Sequence, residues 1–232
     1  MLSWDDYEEE LSPAPALTAA MLDGDPLPKV PARGQGGAGE ILSLSHLFLP
    51  LTQSVELAEK DTLSLINGSP AATALVADAA LAARSRLELV ADIFALAAEA
   101  FNAPLGHFAE ELEGLWNNPH DAWALDALRS RIGGGHGGDR RPYQAPVSIR
   151  IMPRILGEAH RAMEAADTIA RQSLAAVSDN PVVFPAGERI GPDDVVSTGG
   201  YHNAQAPAAM DALTAAMANL AVIGRASCRE RV

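Results

Sequence analysis

From Ala71 to Phe101 the chain reads as one unbroken helix, and that stretch constrains the fold more than any other. Leu89, Ile93, Leu96 and Ala100 recur at steps of three and four residues, which places them on one helical face. Ile155, Ala159, Ala162, Ala166, Ile169 and Ser173 repeat that stepping, and Met210, Leu213, Met217 and Leu220 give an apolar seam at heptad-like spacing. Alanine is abundant in all three stretches and permits close helix–helix approach. Between them lie breakers. Gly68-Ser69-Pro70 ends a helix, Asp179-Asn180-Pro181 ends another, and Gly187 to Thr198 is a polar excursion. The run Gly133 to Gly138 before Asp139 reads as a connector, because it lacks the Gly-Lys-Ser/Thr ending of a phosphate loop. The expectation is a mainly α protein in which long helices form a bundle.

The chain has 232 residues, 48% hydrophobic and 20% charged, enough for a sizeable core, with one domain as the default. A net charge of −13 and a pI near 4.8 argue against nonspecific binding to phosphates or anionic membranes, which needs a basic face. No apolar run is read as approaching the ~20 residues of a membrane span. The acidic start, Met1 to Glu10, is unlike a secretory signal. Cys228 is the single cysteine and can form no internal disulfide, which agrees with a cytoplasmic location.

Four dispersed motifs carry more information. They are Leu63-Ser-Leu-Ile-Asn67-Gly68-Ser69, Gln144-Ala-Pro-Val-Ser-Ile-Arg150, Ser178-Asp179-Asn180-Pro181 and Gly199-Gly200-Tyr201-His202. In order and spacing these resemble the histidine and phenylalanine ammonia-lyase family, over about residues 19–224. The resemblance implies a long-helix bundle of the ammonia-lyase (fumarase/aspartase-like) type, incomplete at both ends. It also implies a carbon–nitrogen lyase reaction on histidine, phenylalanine or tyrosine, an amino acid as ligand, and a homotetramer.

Family members build an electrophile, 4-methylideneimidazol-5-one (MIO), from an internal Ala-Ser-Gly. The corresponding segment here runs Pro31-Ala-Arg-Gly34-Gln35-Gly36-Gly37-Ala38-Gly39-Glu40-Ile41, and Gly37, Ala38 and Gly39 offer no hydroxyl that could leave as water. No MIO and no other cofactor is expected. Leu44-Ser45-His46 downstream still fits the family pattern.

By the resemblance, Arg150 holds the substrate carboxylate, for which a planar guanidinium fork is suited. The alternative is a structural salt bridge. Asn67 matches the asparagine beside the prosthetic group, with a helix cap as its alternative. Gln144 matches a site glutamine able to donate and accept, or else is a solvated loop residue. Tyr201 matches the aromatic against the substrate ring, or is a core aromatic. Val147 and Ala145 stand where the family has tyrosine and aspartate, and the family's base lies in an N-terminal part with no match here; Tyr7 sits in no matching motif. The histidines, His46, His107, His120, His136, His160 and His202, show no paired metal-ligand spacing, and His160 with Glu164 reads as an ordinary helical contact.

The organisation expected is a divergent arm (1–18), a Pro/Gly-rich segment corresponding to the MIO region (19–52), a helical bundle part (53–224) and a non-family tail (225–232), the last resembling an out-of-frame or vector-derived end. With its bundle incomplete, the chain is expected to expose seams such as Met210, Leu213, Met217 and Leu220 and to seek partners. Three readings stand together: an ammonia-lyase-type chain altered by loss of the electrophile, a non-catalytic binding or assembly subunit, and a truncated gene product.

Overall fold

The computed structural model describes residues 18–19, 21–23, 27–31, 33, 39–53, 55–57, 59–132, 139–184 and 195–229. Residues 1–17 of the arm, Gly37, Ala38, the run 133–138, most of the polar excursion and the last residues of the tail lie outside them. Chain contacts divide the molecule into one unit of residues 1–73 with 173–204 and another of 74–172 with 205–232.

In the first unit, α1 (Ile41–Thr52) packs on α2 (Glu59–Ile66), and β1 (Val182–Val183) pairs antiparallel with β2 (Val195–Val196), Val182 opposite Val196. Helix α3 (Pro70–Ala100) begins here. Its first free backbone N–H groups, of Ala71 and Ala72, donate to the two Glu40 carboxylate oxygens at 2.5 and 2.6 Å. A negative charge at that end also complements the helix dipole. The segment following Gly39 is thereby fixed to the start of the longest helix.

The second unit holds the rest of α3, a 3-10 turn (Leu105–Phe108), α4 (Glu111–Trp116), α5 (Pro119–Ile132), most of α6 (Val147–Ala175) and α7 (Gln205–Arg229). The helix-period expectation holds for all three long stretches, and the fold is mainly α. The buried stripe of α3 is Val76, Ala80, Ala83, Leu87, Ala91, Phe94 and Ala98, whereas Leu89, Ile93 and Leu96 share a face that is 59%, 50% and 70% exposed. Alanine explains the inversion, since a side chain of one carbon lets another helix come close and puts the small residues, rather than the leucines, inside. On α6 the buried face runs through Ile149, Met152, Leu156, Ala159, Met163, Ala166 and Ala170. Gly157 on that helix lies against Asp121, where an added Cβ would stand 3.0 Å from the Asp121 backbone nitrogen and Cα.

Two sequence expectations are corrected. The seam on α7 is packed rather than exposed, with Leu213 and Leu220 at 5% and 4% accessibility and Ala206, Ala209 and Ala216 buried beside them. Moreover, two helical stretches, Lys60–Ala100 and Gln205–Ala226, are long and apolar enough to cross a membrane by length and composition. Their alanine-rich composition, rather than an unbroken run of large apolar side chains, produces this. Helix α3 carries Glu88, Asp92 and Glu99, which pair with Arg131 and Arg140, an arrangement that hydrocarbon would penalise heavily.

Candidate functional site

The first unit gathers three of the residues singled out from sequence. Gly39 adopts φ +67°, and a Cβ placed on it would lie 3.4 Å from the Gly68 carbonyl oxygen and 3.8 Å from both Asn67 Oδ1 and Tyr201 Cδ2. Asn67 directly follows the last residue of α2, at the helix C-terminal end before Gly68. Its backbone N–H continues α2 by bonding to the Leu63 carbonyl, while its side-chain amide donates to Asp179 Oδ1 at 3.1 Å and to the Asn180 carbonyl at 2.7 Å. Gly68 is required at its place: φ is +113°, and a Cβ would stand 2.7 Å from Ser178 Oγ. The Asn67-Gly68 corner and the Ser178-Asp179-Asn180 segment are therefore shaped to one another.

Sequence reasoning missed the group that organises this cluster. Asp179 accepts from Lys60, from Ser64 Oγ at 2.8 Å, from Asn67 and from the Asn180 backbone N–H at 2.6 Å. Burial pushes its carboxyl upward, but the hydrogen bonds from Lys60, Ser64, Asn180 and Asn67 outweigh that and hold it below the ordinary aspartate range. Lys60 also donates to the Pro181 carbonyl at 2.7 Å. The signal was present, because Lys60, Ser64 and Asn67 fall at i, i+4 and i+7 and share one helical face. Asn180 extends the network, its Oδ1 accepting from the Thr198 N–H at 2.6 Å just before the Gly199-Gly200-Tyr201 turn.

The other two residues belong to the second unit. Arg150 lies in the first turn of α6, half-buried, and its Nε is buried with no hydrogen-bond partner among the described residues. It makes none of the salt bridges found among those residues. A buried guanidinium N–H left open carries a desolvation penalty that a docking carboxylate would relieve. Gln144 is exposed in the loop before α6, next to Tyr143 at φ +74°. The turn is held by His107, whose Nε2 accepts from the Ala145 N–H at 3.0 Å. Burial, then the charge of Arg150, lowers the His107 pKa, so its ring is neutral at pH 7 and suited to accept that bond. Val147 is 56% exposed, and Ala145 is buried.

Two histidines far apart in sequence meet in the second unit. His120 Nδ1 and His160 Nδ1 lie 3.0 Å apart, and the Trp123 ring stacks on His160 at 3.9 Å. Glu164 stands 3.9 Å from His160, as the helical spacing leads one to expect. No group of three or more His, Cys, Asp or Glu side chains able to hold a metal occurs among the described residues.

Residues 52–230 match the family described as Aromatic amino acid lyase. The chain belongs to that family. Histidine ammonia-lyase of Sorangium cellulosum (strain So ce56) is 32% identical over 89% of this chain and 46% of its own length. That of Streptomyces coelicolor (strain ATCC BAA-471 / A3(2) / M145) is 34% identical over 80% of this chain and 35% of its own. Among solved structures, histidine ammonia-lyase from Trypanosoma cruzi superposes with a TM-score of 0.72 at 25% identity, covering 84% of this chain and 40% of that one. Phenylalanine ammonia lyase from Rhodosporidium toruloides reaches 0.75 at 17% identity, a likeness of fold, over 88% of this chain and 35% of that one. The chain thus spans less than half the length of the lyases it matches. In this member of the family, Gly39, Asn67 and Tyr201 lie near one another, and Gln144 and Arg150 stand close in sequence around the start of α6.

Proposed function

We propose that this chain carries amino-acid-binding parts of an ammonia-lyase, recognising an aromatic α-amino acid such as histidine, phenylalanine or tyrosine, and that it lacks the means to form its own electrophile. The observation that carries the reading is Arg150, whose buried Nε has no partner among the described residues of a chain in this family. Arg150 receives the carboxylate, Asn67 faces the reacting end, Tyr201 lies against the ring, and Gln144 supplies a polar contact. Each of these roles is carried over from the resemblance, residue by residue.

The residues present do not fit the prosthetic group. From Pro31 to Leu42 there is no serine, threonine or cysteine, and Gly39, the described end of the segment, offers only backbone to Asn67 and Tyr201. The reading comprises a soluble cytoplasmic homotetramer, by resemblance, that binds an amino acid without turning it over. Intact mass and peptide mapping across Pro31 to His46, alongside ammonia release from histidine, phenylalanine and tyrosine, test it. Unmodified mass, no ammonia and saturable binding that Arg150→Met weakens tenfold or more (about 1.4 kcal/mol) are expected. Loss of water within that peptide together with ammonia release overturns the reading and makes the protein a working lyase.

A further inference from the structure

Helix α2 brings Lys60, Ser64 and Asn67 to one carboxylate, Asp179. The consequence lies in the Asn67 amide. A primary amide has two N–H groups and one carbonyl oxygen. One N–H is matched to Asp179 Oδ1 at 3.1 Å and Nδ2 also donates to the Asn180 carbonyl at 2.7 Å, and an ionised carboxylate and a carbonyl can only accept. Rotating the amide by half a turn would set acceptor against acceptor at both contacts, so the chemistry of the partners decides its orientation. What remains is Oδ1, which lies 3.8 Å from where a Gly39 Cβ would be. The Lys60 ammonium keeps Asp179 charged, and the Asn180 N–H fixes the carboxylate's own rotation.

We propose that Asp179 is a positioning residue that sets the polarity of Asn67, so that Asn67 meets a ligand beside Gly39 only as a hydrogen-bond acceptor and this position takes an ammonium or similar N–H donor. The ligand half rests on the amino-acid reading above; the polarity half does not. An Asn at position 179 would keep the shape but offer one acceptor oxygen and a competing pair of donors. The lock on Asn67 would then open.

The test uses the full 15N-labelled chain. The Asn67 side-chain amide pair is identified by its loss in Asn67→Leu, and its exchange with water is followed in Asp179→Asn. Exchange faster by about tenfold or more, with shifted resonances, is expected from loss of the charge-assisted bond. Ser64→Ala is a milder variant in case Asp179→Asn does not fold: it removes one donor to the carboxylate and leaves both Asn67 acceptors, so the pair should shift without faster exchange. In parallel, affinities are measured for L-phenylalanine and for trans-cinnamate, which shares the ring and carboxylate but has no ammonium. The native chain should prefer the amino acid by roughly tenfold, Asp179→Asn should bring the ratio toward one, and Arg150→Met should weaken both alike. An Asn67 pair unmoved in both position 179 and position 64 variants overturns the positioning role. Equal affinities in the native chain overturn the ammonium assignment. Binding of neither ligand, with Asn67 resonances that do respond, removes the amino-acid reading and the ligand half together and leaves the polarity half standing.

Discussion

At the scale of single residues, two glycines and one carboxylate decide how the Asn67 cluster is built. Gly68 stands out because both of its demands are steric: a positive φ, and a neighbour, Ser178, that fills the space a side chain would need. Gly68→Ala should therefore destabilise the chain by roughly 2 kcal/mol or more, measured as a fall in the urea midpoint with an unchanged m-value. Gly114, whose Cβ would meet nothing within 4 Å and whose φ lies outside the positive region, is the control, and its Ala variant should leave stability unchanged or slightly raised. Equal effects at the two positions would mean that the Ser178 contact does not constrain the corner. Lys60 and Asp179 show how a pair on opposite sides of a long insertion, 119 residues apart, can hold a short motif such as Asn67-Gly68 in place.

At the scale of elements, α5 and α6 are joined by polar contacts that have a pH dependence. His160 is packed between Trp123 and His120; burial chiefly lowers its pKa, with Glu164 and Glu88 opposing and His120 and Arg84 adding to the lowering. Asp121 and Glu158 are the acids that face His120. The sign follows from the two states. An unfolded histidine takes up its proton near pH 6.5, the folded one only at lower pH, so acidification below about 6.5 loads the unfolded state first and stability falls. The contribution is fully present above that pH and is lost on the way down to the folded pKa. Melting temperature should drop more between about pH 7.5 and 5.5 in the native chain than in His160→Gln, and Trp123 fluorescence should change over the same range. Parallel melting curves for the two proteins would show that His160 does not titrate as argued. None of this was legible in sequence, because 40 residues separate the two rings and their meeting depends on how α5 lies on α6. By contrast, Asn67, Gly39 and Tyr201 could be singled out because each sits in a short motif, and the structure brings them near one another; the helix limits were legible because proline and glycine mark them. The inner face of α3 was not, since alanine gives little contrast between inside and outside.

At the scale of the whole molecule, the surface that remains apolar is different from the one the heptad-like seam leads one to expect. Leu75, Leu81, Leu89, Ile93 and Leu96 of α3 are each at least 50% exposed, while Leu213 and Leu220 of α7 are covered. Leu89, Ile93 and Leu96 lie on one stripe at i, i+4 and i+7, and a stripe of that kind on a long helix is suited to pack against another helix. The chain spans less than half the length of the histidine ammonia-lyases it matches. Self-association through α3 follows as the prediction. Light scattering should give a mass above the 24.3 kDa of one chain, and Leu89→Glu combined with Ile93→Glu should return it toward that value while helical circular dichroism is kept. Both positions are exposed, so the substitutions remove an associating surface without opening the core, and a mass that stays high in the double variant would place the contact elsewhere. A native chain already at 24.3 kDa would instead show that the α3 stripe is tolerated in water. The acidic balance of −13 opposes this association by like-charge repulsion without cancelling the apolar drive, so the associated fraction should rise with added salt.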